Sequence, residues 1–366
     1  MNTTKEHFHG SDLEKIEKVF GIKKESITSF GANVNPLGIS PMLRKNLAAH
    51  IDAITSYPDR EYTDLRNAIS IYTGAPLDSI MVGNGSTELI GLFIQILEPK
   101  KALLIAPTYS EYEREIQLSG GICTYHFLKE EQDFHLHTDD LLSDITSDMD
   151  LLIICNPNNP TSTIIPQSDM DRIVDHCQTT GTFVIIDETY VEFAPDPESV
   201  TSIPLTDKYS NMVILRGISK FFAAPGLRLG YAICNNSSLY EHINEIKNPW
   251  TINSLAGVAG EIMFSDHQYI HETKIFTNKE RNYCRSELNS IPSIKYYDSY
   301  GNFILVRILK EGISSYDVFE HCIKKGLMIR DCSDFPGLDD HYIRFCFMSH
   351  EKNMELIAAF KEILVD

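Results

Sequence analysis

Between residues 80 and 233, short apolar runs alternate with amphipathic stretches. The runs are Ile80–Val82, Ala102–Ile105, Leu151–Cys155, Phe183–Ile186, Val213–Leu215 and Leu229–Ile233. Between several of them lie segments with helical spacing, such as Thr87–Leu97 and Gln167–Thr180. Continuous apolar strands alternating with helices predict a mostly parallel sheet covered by helices on both faces. Ligands of such sheets sit in loops at the carboxyl ends of the strands. Ahead of this region, spacing predicts helices over residues 11–20, with Ser11 or Asp12 as N-cap, over Met42–Ala49 and over Thr63–Tyr72. The stretch FGANVNPLGIS, around Asn33, Asn35 and Pro36, reads as a loop of the kind that carries ligands.

After residue 240 the rhythm changes. A long helical region runs to Leu288, then paired strands Ile294–Tyr297 and Phe303–Val306 flank Gly301-Asn302. A helix at Tyr316–Lys325, strands at Leu327–Ile329 and Ile343–Phe347, and a terminal helix from Glu351 follow. The expected fold class is α/β, with a smaller α+β domain. The expected division is residues 1–35 as an N-terminal segment at the small domain and active site, 36–245 as the large α/β domain, and 246–366 as the small one.

The length, 366 residues, suits two domains. A net charge of −19 without a basic block argues against nucleic acid or an anionic membrane as partner. The polar N-terminus carries no signal-peptide pattern and no apolar run approaches membrane-spanning length, so a cytoplasmic location is expected. Eight cysteines without a C-x-x-C pair point to free thiols and no zinc. His7/His9 and His135/His137 are i, i+2 pairs that could share a strand face. No Cys or third His keeps that spacing, so no metal site is expected.

The chemistry concentrates in the loops after the strands. Lys220 lies just past the run Met212–Leu215. Desolvating an ammonium is costly unless the site uses it, and burial lowers a lysine pKa toward the range useful for Schiff bases. Ser219 and Arg228 flank it with groups that suit a phosphate. Together they describe a seat for pyridoxal phosphate; the alternative is a surface loop with ordinary cations. Gly83-Asn84-Gly85-Ser86-Thr87-Glu88 follows a strand and opens a helix, which makes an anion site of its amides and hydroxyls. Glu88 stands where a dinucleotide fingerprint needs its third glycine. Tyr109 could lie flat on a planar cofactor or simply pack. Asn159, in the run Asn156–Thr161, could donate to a ring oxyanion or belong to a rigid turn. Asp187 closes a buried strand and requires a partner, which a protonated pyridine nitrogen would supply. The alternative for Asp187 is a helix cap. Tyr190, three residues on, could reach the ring's phenolic oxygen.

Each feature is ambiguous alone, but their order is not: phosphate cradle, tyrosine, Asn-Pro, Asp-x-x-Tyr, Ser-Lys, then Arg eight residues on. This order resembles the fold-type I pyridoxal-phosphate enzymes of the class I/II aminotransferase family, over essentially the whole chain. The resemblance implies the PLP-dependent transferase fold and pyridoxal 5'-phosphate as cofactor. It implies Lys220 as the Schiff-base lysine, Asp187 on the ring nitrogen, Tyr190 and Asn159 on the phenolate and Tyr109 stacked on the ring. It implies Ser86, Thr87, Ser219 and Arg228 on the phosphate. Tyr57, in SYPD, resembles the residue that family members lend to a neighbouring subunit's cofactor, which implies a homodimer.

Two branches of the family are similar. FGANVNPLG, SYPD and NPNNPT resemble both the histidinol-phosphate aminotransferases and the threonine-phosphate decarboxylases of cobalamin synthesis. His9-Gly10, Asn248–Asn253 (NPWTIN) and IRDCSDFPGLDDHYIR from Ile329 to Arg344 resemble the decarboxylases further. Three positions depart from that branch: Gly217 replaces a usual hydroxyl residue, Asp334 a common Asn, and Met348 a common additional arginine. By resemblance His9, Asn33, Asn159, Arg330 and Arg344 hold the substrate, and His9, Asn33 and the loop around Asn35 close over its phosphate; the alternative for either arginine is a surface ion pair. The expected activity is decarboxylation of O-phospho-L-threonine, or a close phosphorylated amino acid, to (R)-1-aminopropan-2-yl phosphate and CO2. The alternative is transamination of the histidinol-phosphate type. A third reading, a cofactor-binding effector domain without turnover, is disfavoured because the chain shows no DNA-binding segment.

Overall fold

The computed structural model describes residues 8–365, so His7 lies outside the described residues. Thirteen strands occur among them: β1 (Thr28–Ser29), β2 (Ile80–Gly83), β3 (Lys101–Ala106), β4 (Ile122–Phe127), β5 (Leu151–Cys155), β6 (Phe183–Asp187), β7 (Met212–Gly217), β8 (Gly230–Ile233), β9 (Ile294–Tyr296), β10 (Phe303–Ile308), β11 (Leu327–Met328), β12 (Arg330–Asp331) and β13 (Tyr342–Cys346). Seven form one sheet in the order β2-β8-β7-β6-β5-β3-β4. Every residue of β2, β5, β7 and β8 is buried, which is why these segments read as unbroken apolar runs. The edge strand β4 (ICTYHF) is exposed at Ile122 and Phe127 and has no such run, so periodicity does not predict it.

All pairings in this sheet are parallel except those of β8, which runs against both β2 and β7. That reversal positions the site. The chain leaves β7 at Gly217 and returns in β8 at Gly230, directly opposite, so Ser219, Lys220 and Arg228 stay at the same end of the sheet. Gly83 of β2 pairs with Gly230 as well. A Cβ on Gly230 would stand 2.6 Å from the Gly85 carbonyl carbon and on top of the Ser86 amide. Glycine there lets the start of the helix Ser86–Leu97 sit directly on the strand ends.

Helices cover the sheet through apolar stripes. Leu89, Ile90, Phe93 and Ile94 line the buried side of Ser86–Leu97, and Met170, Ile173, Val174 and Cys177 that of Gln167–Thr180. The helical region expected from 240 to Leu288 is three helices, Ser237–Ile246, Ser254–Ser265 and His267–Leu288. Pro249 falls in the first break, and the Asn253 and Asp266 side chains cap the next two helices at 2.9 and 3.1 Å. Ala256, Ala259, Met263 and Phe264 of Ser254–Ser265 join the larger core, on the sheet's side of the boundary expected at 246.

A second sheet, β12-β13-β10-β9, is antiparallel throughout. A separate core that includes Ile304, Val306, Phe345, Leu356 and Phe360 packs with it. The N-terminal segment joins this part of the molecule: β1 pairs in parallel with β11, and Phe8, Ile16 and Phe30 lie in the same core. No helix among the described residues is long and apolar enough to cross a membrane.

Candidate active site

The carboxyl ends of β5, β6 and β7 meet the N-terminal segment around Lys220. Lys220 is half-buried, and its Nζ donates to the Ala32 carbonyl at 2.7 Å. Burial first, and the charge of Arg344 next, push its pKa down to about 8, against the pull of Cys346. An amine with that value holds a substantial neutral fraction near physiological pH, as a nucleophile must.

Asp187 ends β6 and is 5% exposed. Tyr112 donates its hydroxyl to Asp187 Oδ2 at 2.6 Å, and the Thr189 amide and hydroxyl donate to Oδ1 at 2.9 and 2.5 Å. Burial raises the carboxyl pKa, and the Thr189 and Tyr112 hydrogen bonds restrain that rise. Among the described residues no cation pairs with it. A buried carboxylate held only by neutral donors fits a cationic ring nitrogen. Tyr112 and Thr189 escaped the sequence reading. Their signals are a second tyrosine three residues after Tyr109, at a helix start, and a threonine two residues after the aspartate.

Tyr190 is buried, accepts from Asn33 Nδ2 at 3.3 Å and packs edge-on against Phe303 at 5.0 Å. Asn33 has a left-handed backbone (φ 56°), and its Oδ1 is buried without a partner. Asn302 Nδ2 holds the Asn33 carbonyl at 2.9 Å. Asn35 anchors its loop: its Nδ2 lies within hydrogen-bond distance of Phe221 O, Tyr269 Oη and Thr273 Oγ1, at 2.9, 2.9 and 3.1 Å.

The segment expected to cradle a phosphate lies at the start of Ser86–Leu97. Its N-cap is Gly85, with no side-chain cap, so the first amides have no internal acceptor. Arg228 lies over Gly85, where a Cβ would collide with its guanidinium. Ser219 is half-buried in the same connection as Lys220. A Cβ on Gly217 would meet only ordinary contacts, with Ser86 Oγ at 3.9 Å. Tyr109 is half-buried, 5.5 Å from Tyr112 and nearly perpendicular to it. Burial, with Glu111 and Asp187 nearby, pushes its phenol up to about 12, so it stays neutral. An uncapped helix start, a guanidinium over a glycine, a lysine of lowered pKa and an unpaired buried carboxylate are the donor set pyridoxal phosphate needs.

Arg344 reaches this site from β13. It is 5% exposed, donates to Asn159 Oδ1 from Nη1 and to Gly31 O from Nη2 at 2.7 Å, and leaves Nε unpartnered. No carboxylate pairs with it among the described residues. Because Asn159 accepts through its oxygen, its amide N–H groups remain donors. Arg330 is also buried, and Asp334 pairs with it at 2.6 Å. His9 sits beside these arginines; burial and Arg330 lower its pKa, while Asp12 opposes them. Its Nδ1 lies 2.8 Å from Ser11 Oγ.

Met348 is half-buried between the two cores, 3.8 Å from Cys346 Sγ. Tyr57 is 82% exposed, with its ring 4.9 Å from Trp250. All eight cysteines are unpaired. His135 faces Asp298 at 3.9 Å; among the described residues the only group with three potential metal ligands is the exposed pair Asp339 and Asp340 with the half-buried His341.

The sequence profile of aminotransferase class I and II matches residues 25–360. The threonine-phosphate decarboxylase of Salmonella typhimurium is 31% identical, over 97% of this chain and 96% of that protein. The histidinol-phosphate aminotransferase of Methanosphaera stadtmanae is 31% identical over 98% and 96%. The crystal structure of the histidinol-phosphate aminotransferase from Clostridium acetobutylicum superposes with a TM-score of 0.86, at 34% identity, over 91% of this chain and 98% of that one. By sequence, fold and donor set together, the chain belongs to the class I and II aminotransferase family of pyridoxal-phosphate enzymes.

Proposed function

We propose that this protein decarboxylates O-phospho-L-threonine, or a close phosphorylated amino acid, to (R)-1-aminopropan-2-yl phosphate and CO2. The observation that carries an acidic substrate is Arg344, a buried guanidinium without an acid partner among the described residues, in the same site as Lys220. An uncompensated buried charge is costly, and a substrate carboxylate or phosphate relieves that cost. The Salmonella decarboxylase, matched end to end, supports the reaction assigned.

Bound pyridoxal phosphate supplies an electron sink for the electron pair left when a bond to the substrate Cα breaks. In our reading the amides of Ser86 and Thr87, with their hydroxyls, Ser219 and Arg228, hold its phosphate. Asp187 would keep the ring nitrogen protonated, Tyr190 and Asn159 would bind the ring oxygen, and Tyr109 would lie on the ring. Lys220 Nζ would hold the cofactor at rest and, once displaced by the substrate amine, carry a proton to Cα. Arg344, Arg330, His9 and Asn33 orient the substrate. The molecule works as a homodimer, with Tyr57 reaching the partner's cofactor. We also propose the division at residues 35 and 245 as its functional division, the helix Ser254–Ser265 packing back on the larger core, with Arg344 of the small sheet and Lys220 of the loop after β7 closing on one substrate.

The second reading is a histidinol-phosphate type aminotransferase, which the Clostridium structure favours. The two differ in which Cα bond stands perpendicular to the ring. Incubating the holoenzyme with O-phosphothreonine, with and without 2-oxoglutarate, separates them. CO2 release independent of 2-oxoglutarate supports decarboxylation. Glutamate formation that requires 2-oxoglutarate, without CO2, overturns it.

A further inference from the structure

Arg330 and Arg344 stand directly opposite each other on β12 and β13. Like charges in that arrangement repel. Among the described residues only Arg330 has an acid partner. Asp334 sets both of its oxygens on Arg330 Nη2, at 2.8 and 2.6 Å. Arg330 Nη1 donates to the Phe8 carbonyl at 3.1 Å, and the guanidinium lies 5.2 Å over the Phe335 ring. Arg344, by contrast, donates only to the neutral oxygens of Asn159 and Gly31.

We propose that Asp334 is a specificity-determining residue, an internal anion that competes with an anionic substrate group for Arg330. The proposal rests on the reading above that Arg330 and Arg344 are the substrate's anion sites, and assigns the phosphate to Arg330 and the carboxylate to Arg344. The turn is fixed on both sides of Asp334. The Ser333 amide and hydroxyl donate to Asp331 Oδ1 at 3.0 and 2.7 Å, and the Phe335 amide donates to the Cys332 carbonyl at 3.1 Å. Exchange therefore needs rotation of the Asp334 side chain and no movement of the backbone. The Asp334 side chain is 36% exposed and has water to turn into, whereas that of Arg330 is 9% exposed and stays in place.

The consequence is a penalty confined to ligands that use Arg330. A phosphate has three acceptor oxygens and up to two charges, so it can take the guanidinium from a single carboxylate. An amino acid without a distal anion leaves the pair intact. Asp334 thus raises the concentration at which a phosphorylated substrate binds, without touching recognition of its amino and carboxylate groups.

The test is titration of inorganic phosphate, O-phospho-L-threonine and L-threonine into the holoenzyme, its Asp334→Asn variant and the Arg330→Gln/Asp334→Asn double variant. The absorbance of bound cofactor reports that each protein is folded and loaded. The expected result is at least tenfold tighter binding of phosphate and O-phosphothreonine in Asp334→Asn, no change for threonine, and loss of the gain in the double variant. Equal or weaker phosphate binding in Asp334→Asn, with binding retained by the unsubstituted enzyme, overturns the competition and leaves the substrate reading intact. A gain that survives in the double variant also overturns it. If no form binds phosphate or O-phosphothreonine, both the proposal and the phosphorylated-substrate reading fall.

Discussion

Tyr112 donates its hydroxyl to Asp187 Oδ2 across 2.6 Å, inside a core where both residues are at least 95% buried. The contact joins the start of the helix Glu111–Leu118 to the end of β6, and together with Thr189 on Oδ1 it fixes the direction of the carboxylate. A hydrogen bond to a charged group contributes about 1.5–3 kcal/mol. Tyr112→Phe should therefore lose roughly ten- to a hundredfold in kcat, and Asp187→Ala several orders of magnitude. Asp187→Glu should retain part of the rate. Steady-state kinetics check this, and near-normal turnover of Asp187→Ala would show that the carboxylate is only structural.

Lys220 should carry the cofactor. Borohydride reduction of the holoenzyme, followed by peptide mapping, should place the label on Lys220, and Lys220→Ala should lose the visible band and almost all turnover. A label on another lysine would refute the assignment. The lowered pKa of about 8 also predicts a stability effect in the cofactor-free enzyme. Between that value and about 10.4, the usual lysine value, the unfolded chain binds more protons at this residue than the folded one. Stability therefore rises with pH across that window and is flat below it. Denaturant midpoints of the parent relative to Lys220→Met should show that rise, because other titrating groups cancel in the difference.

Gly230→Ala should damage the phosphate cradle from behind. Its Cβ has no room against Gly85 and the Ser86 amide, so the start of the helix must move off the strand. We expect at least tenfold weaker cofactor binding with the fold retained, measured by equilibrium dialysis and far-UV circular dichroism. Unchanged affinity would place the phosphate elsewhere.

Arg344→Lys should cost at least about tenfold in kcat/KM, roughly 1.4 kcal/mol. A lysine cannot reproduce the fork that spans Asn159, Gly31 and a ligand. The cofactor spectrum should not change. An unaltered kcat/KM would make Arg344 a structural tie between the two sheets.

Tyr57 is exposed in its own chain, which motivates a shared site. Light scattering should give a dimer, and mixing inactive Tyr57 and Lys220 variants should restore some activity through hybrid dimers. Proven subunit exchange without recovery would rule out the sharing.

The sequence by itself determined the buried strands, because residues covered on both faces must be apolar along their whole length. It also determined which residue types wait in the loops at their ends. Lys220, Asp187, Asn159 and Arg228 stood out as candidates because polar groups close to the ends of apolar runs need a reason. Tertiary structure decided what joins them. The reversal of β8 brings Arg228 back over Gly85, and the edge strand β4 has no apolar signal because one side of it meets water. The hydroxyl on Asp187 Oδ2 comes from Tyr112, 75 residues away, and the partner of Asn159 Oδ1 is Arg344, 185 residues away. Spacing carries information about neighbours along one helix or strand. It carries none about which distant side chains share a buried volume, and that is why the pairing of Arg330 with Asp334, beside an unpaired Arg344, became visible only in the folded chain.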